Sequence, residues 1–94
     1  MYRLITEDKN REGIVAIVSA VFDGFTLIET HGYWQGKPEN SLIIEIDGPR
    51  VTGTQLNSIA EHICILNDQQ CVMIQHVPSS VWLINKQGEK LGLT

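Results

Sequence analysis

Residues 32–41 read Gly32-Tyr33-Trp34-Gln35-Gly36-Lys37-Pro38-Glu39-Asn40-Ser41 and separate two strand-like runs, at residues 25–31 and 42–47. Taken as a connection, the segment is longer than the about two to five residues that close an ordinary hairpin. It carries an aromatic pair, Lys37, Glu39 and several turn-forming residues. Aromatic rings with a polar, glycine-punctuated setting have the composition of a recognition surface, because each ring offers apolar area beside a polar handle. The expectation is a long functional loop between two strands.

Working outward, Leu42, Ile44 and Ile46 alternate and share one face of a strand. Upstream lie a first strand at 2–6 and a polar run, Glu7-Asp8-Lys9-Asn10, in which Asp8 or Asn10 can cap a helix. Ile14, Ile17, Val18 and Val21 follow at i, i+3, i+4, i+7 and predict an amphipathic helix over 11–22. Its β-branched content lowers intrinsic propensity, so packing has to hold it. Asp23-Gly24 closes it, with Gly24 able to take positive φ.

Downstream, Asp47-Gly48-Pro49 is a turn, and Thr52 or Thr54 opens a second helix over 55–67. Leu56, Ile59, Ala60 and Ile63 mark its buried stripe, and Asn67-Asp68 ends it. A strand at 71–77, an interruption at Pro78-Ser79-Ser80, a strand at 81–84, a polar turn at 85–90 and a short edge strand or frayed end at 91–94 complete the chain. The order is strand, helix, strand, strand, helix, strand, with one added C-terminal strand. This predicts one α+β domain over 1–94 of the ferredoxin-like, split βαβ type, with two helices on one face of an antiparallel sheet.

The strands are apolar on both faces. Ile43 opposes Leu42 and Ile44, Ile28 opposes Leu27, Met73 opposes Val72 and Ile74, and Trp82 and Ile84 oppose Val81 and Leu83. A sheet wetted on one side alternates more cleanly, so a homo-oligomer that covers the second face is expected.

The 94 residues carry a net charge of −4, with seven Lys and Arg dispersed along the chain. No basic stripe suited to a phosphate backbone is present, which argues against nucleic-acid binding. Cys64 and Cys71 form no CxxC pair, and their apolar contexts suggest reduced, buried thiols. His31, His62 and His76 are scattered without zinc spacing. No leader and no membrane-length apolar run is read, so a cytoplasmic protein without a membrane role is expected. No P-loop, HExxH or Ser-His-Asp pattern calls for a cofactor or a reaction.

The element order, and Gly32-Tyr33-Trp34-Gln35-Gly36-Lys37 leading into Ser41-Leu42-Ile43-Ile44-Glu45-Ile46, resemble the PII signalling proteins and their PII-like and CutA-like relatives over about residues 2–84. The resemblance implies a homotrimer with inward-facing sheets. It also implies a small ligand, often a nucleotide, between neighbouring subunits, contacted by the loop between the second and third strands. That loop is shorter here than the long regulatory loop of PII proteins.

The candidate ligand-binding residues are Asp8, Lys9, Asn10, Arg11, Tyr33, Trp34, Lys37 and Ser41. Residues 7–11 sit where a strand feeds a helix N-terminus, whose free N–H groups favour anions, and Arg11 can clamp a phosphate or carboxylate. Tyr33 and Trp34 can stack on a base or anchor a protein partner, and Lys37 can neutralise a phosphate. Three readings stay open. The first is a small-ligand-binding or sensor module. The second is a protein-interaction or inhibitor module acting through residues 33–40. The third is a small enzyme using Glu29, Glu45 or a histidine at a subunit boundary.

Overall fold

The computed structural model describes residues 1–78, 80 and 82–91. In chain order the elements are β1 (Tyr2–Glu7), α1 (Arg11–Ser19), β2 (Thr26–Trp34), β3 (Lys37–Ile46), α2 (Gly53–Asn67), β4 (Met73–His76), β5 (Leu83–Ile84) and β6 (Lys90–Leu91). Four strands form one sheet in the order β2-β3-β1-β4, with every neighbouring pair antiparallel. The α+β class therefore holds. β5 and β6 do not extend this sheet but pair with each other as a separate two-stranded ribbon. Its turn is organised by Asn85, whose Oδ1 accepts from the Gln87 and Glu89 N–H groups at 3.0 and 2.9 Å. Of the strand expected over 81–84, Val81 lies outside the described residues, as do Gly92 to Thr94 of the expected terminal strand.

The segment 32–41 is not a loop. β2 and β3 stay in register from Thr26↔Glu45 to Trp34↔Lys37, so only Gln35 and Gly36 form the turn. Both take positive φ, 51° and 77°. That is the backbone of a two-residue hairpin turn, whose twist matches that of the strands it joins. Pro38 is tolerated because it faces Tyr33, one step from the closing Trp34–Lys37 pair. Alternation makes that step a non-hydrogen-bonded pair, and β1 ends before reaching it, so the missing N–H removes no ladder bond. The hairpin therefore projects past β1, whose last partner is Ser41.

α2 starts where Thr52 predicts. The Thr52 hydroxyl accepts from the Gln55 N–H at 3.2 Å and the Gln55 side chain accepts from the Thr52 N–H at 3.0 Å, a complete capping box. α1 is shorter than expected. After Ser19 the Val21 and Phe22 N–H groups both turn back to the Val18 carbonyl, and positive φ falls at Gly36, Gly48 and Gly88 rather than at Gly24. Asn10, before α1, is itself left-handed and makes no side-chain cap.

The core lies between the helices and one sheet face, where Leu4, Leu42, Ile44 and Ile46 meet Ile14, Val18, Leu56, Ile59, Ala60 and Ile63. The opposite face carries a different pattern. Ile28 pairs with Ile43, Ile43 with Ile5, and Ile5 with Met73, so one apolar row crosses all four strands. Arg3 and Glu45 flank that row as a 2.9 Å ion pair. No described helix covers this face.

Candidate functional site

A cavity of about 370 Å³ opens on the uncovered face, at the end of the apolar row. Its floor holds Ile5 and Met73 from the row, with Glu7, Gly32, Glu39 and Ser41 beyond them. Tyr33 and Trp34 bound it on the projecting hairpin, and residues 68–71 between α2 and β4 form the facing wall.

The site follows from strand lengths. β1 ends at Glu7 while β3 and the α2–β4 connection continue past it, which leaves a trough where a fourth backbone would lie. Gly32 deepens it, since a Cβ there would stand 2.7 Å from the Ser41 Oγ. The facing wall is tied down by Gln69. The Thr6 hydroxyl donates to its Oε1 at 3.0 Å, its Nε2 donates to the Cys71 carbonyl at 2.9 Å, and its backbone N–H reaches the Cys64 carbonyl at 3.1 Å.

Ser41 is only 5% exposed, and its hydroxyl has no hydrogen-bond partner among the described residues. Glu7 and Glu39 are half-buried, and neither takes part in any of the ion pairs formed among the described residues. The cavity thus offers free oxygen acceptors beside aromatic and aliphatic surface.

The expected site residues separate into two groups. Tyr33, Trp34 and Ser41 line the cavity. Asp8, Lys9, Asn10, Arg11 and Lys37 do not. Arg11 is held by Asp8 and by the Glu29 carboxylate, the latter at 2.7 Å, and both raise its pKa beyond the usual guanidinium value. Lys9 Nζ donates to the Asn67 carbonyl at the end of α2, and Asn67 Nδ2 donates back to the Lys9 carbonyl at 2.8 Å. Residues 8–11 therefore join the β1–α1 connection to α2 and β2, and their cations are already engaged. Lys37 is exposed and closes the hairpin opposite Trp34.

Glu29 and Glu45 do not form a carboxylate pair. Glu29 lies opposite Leu42, on the helix side, whereas Glu45 points with Arg3 to the other face. The cysteines are unpaired, in line with the expected reduced thiols, but they are not buried as expected. Both are free, Cys71 is exposed, and Cys64 is half-buried, with burial pushing its thiol pKa up. Cys71 escapes burial because β4 begins only at Met73. No cluster of three His, Cys, Asp or Glu side chains among the described residues could hold a metal ion. No described helix is long and apolar enough to cross a membrane.

Glu39 was within reach of sequence reasoning, since 39, 41 and 43 share a strand face. Gln69, Cys71 and Met73 carried no local signal, because only tertiary structure sets them against the hairpin. No protein-family model matches the chain, and no curated protein matches it.

Proposed function

We propose that the protein is a non-catalytic small-ligand-binding or sensor module that associates with copies of itself through the open face of its sheet. The ligand cavity then lies at the boundary between subunits. One observation carries this reading: Ile5 and Met73 belong both to the apolar row and to the cavity floor, so the surface that favours a partner runs directly into the surface that favours a ligand. The strand order and the helix placement are compatible with a ferredoxin-like domain, and by that route with a trimer of the PII-like kind.

The test is native mass spectrometry of wild type and Ile43→Asp at matched concentrations. An oligomer in the wild type and a monomer in the variant, both with intact secondary structure, support the reading. A wild-type monomer at high concentration refutes the assembly.

A second reading, a protein-interaction or inhibitor module, is favoured by the hairpin tip. There Tyr33 is 77% exposed and Trp34 47%, and adjacent strand positions put them on opposite faces of the ribbon. Such a projecting aromatic pair suits insertion into a groove. Under this reading Trp34→Ala abolishes capture of the partner while the oligomeric state is unchanged.

A further inference from the structure

We infer that the ligand of the uncovered-face cavity is a small aliphatic ammonium of the alkyl-diamine or polyamine class; this deepens the ligand-binding reading and rests on it. The acceptors on this cavity outnumber its donors of positive charge. Glu7 and Glu39 are both half-buried and unpaired among the described residues, and Asp68 adds a carboxylate to the rim. The positions are related by register. Glu7 lies opposite Ser41, and Glu39 is two residues along the same face of β3. This diagonal places the two glutamate Cβ atoms about 7 Å apart, close enough for both carboxylates to approach one ammonium.

Ser41 supplies an independent sign. Its side chain is nearly buried, lies on the cavity over Gly32, and has no hydrogen-bond partner among the described residues. Because this hydroxyl lines the cavity and has no partner of its own, a donor within the cavity can reach it. An ammonium has three donors and no acceptor, which matches two carboxylates and a hydroxyl oxygen. The indole of Trp34 adds a face attractive to a cation. Ile5 and Met73 give the methylene chain an apolar bed.

A phosphate-bearing ligand is disfavoured on the same grounds. The carboxylates repel it, Arg11 is committed to Asp8 and Glu29, and Lys9 to the end of α2. No cluster of three His, Cys, Asp or Glu side chains among the described residues forms a metal site here. Lys37 is the nearby competing cation, two residues from Glu39 on the same strand face, and it forms no ion pair among the described residues. Its removal should strengthen ammonium binding.

The experiment is amide NMR titration of the full chain with putrescine, and separately with AMP. Putrescine should give saturable shifts at Gly32, Trp34, Ser41 and Met73. Glu7→Gln and Glu39→Gln should each weaken binding about tenfold or more, the loss of a charge-assisted contact. Lys37→Ala should tighten it by a factor of about two to five, the scale of an exposed charge. Cavity shifts with AMP and none with putrescine would overturn the ammonium assignment and leave the ligand-binding reading standing. Putrescine shifts outside the cavity, or binding indifferent to both Glu→Gln changes, would overturn the assignment too. Silence of the cavity amides to both probes would sink both.

Discussion

On the helix-covered face Leu4, Leu42 and Ile44 are wholly buried, whereas Ile5 and Ile43, their neighbours in the same strands, are half-buried, and Ile28 and Met73 are exposed. The residue types on the two faces are nearly the same. What differs is the cover: α1 and α2 supply Ile14, Val18, Leu56, Ile59 and Ile63 to one face, and no described element supplies anything comparable to the other. Apolar strand positions thus report a surface to be buried without saying what buries it. On the first face the chain covers itself. On the second, the row runs into a cavity whose glutamates form no ion pair among the described residues.

The two faces should differ most at neighbouring positions of one strand. Ile44→Ala should cost about 2–5 kcal/mol, because a side chain with no exposed surface leaves a cavity behind. Ile43→Ala, half-buried on the open face, should cost about 1 kcal/mol in dilute monomer. Urea unfolding of both variants checks this. If a second copy covers the open face, the Ile43 cost should grow with protein concentration while the Ile44 cost stays fixed. Equal costs at all concentrations would remove the distinction between the faces.

Next in size is the hairpin that walls the cavity. Gly36→Ala places a Cβ at φ 77° and should cost about 1–2 kcal/mol. A melting-temperature shift in that variant, with the core amides still in place, would show that the projecting ribbon depends on its turn.

Arg3→Ala tests the rim of the apolar row. The Arg3–Glu45 pair is partly exposed, so its loss should cost less than about 1 kcal/mol and fade in salt. A larger, salt-independent loss would mean that the rim is buried in an assembly.

The smallest effect is chemical. Burial raises the Cys64 thiol pKa, which leaves less thiolate at a given pH, so iodoacetamide should modify Cys64 more slowly than exposed Cys71 at pH 8. Peptide mapping reads both rates, and a ligand in the cavity should slow Cys71 alone, since Cys71 lines it.

Much of this architecture is legible in the residues, for reasons that are local. Thr52 and Gln55 cap each other within one helical turn, and Leu56, Ile59, Ala60 and Ile63 repeat at the helical period, so α2 and its buried face follow from neighbours three or four residues apart. The inward set Leu42, Ile44 and Ile46 follows from strand alternation in the same way. The segment 32–41 did not yield to that reasoning. Its polar, aromatic composition suits a loop, yet Gln35 and Gly36 can make a complete turn, and pairing of residues 32–34 with 37–39 decides for strand. Pairing energy lies between chain segments and leaves no periodic mark in a stretch with glycine and proline in it.

The candidate site divides along the same line. Tyr33, Trp34 and Ser41 stand out in the sequence, and the acidic residues Glu7 and Glu39 are visible there as charges. That Asp8, Glu29 and Asn67 would engage the cations of residues 9 and 11, leaving Glu7 and Glu39 outside the ion pairs formed among the described residues, depended on which side chains met in space. Local periodicity and capping set α2 and the inward faces by themselves, while the strand ends and the end of α1 were settled by pairing and packing. The hairpin's reach, the uncovered row and the cavity arose only when segments as far apart as Ile5 and Met73 were brought side by side, because charge pairing and enclosure depend on distance in space and not on distance along the chain.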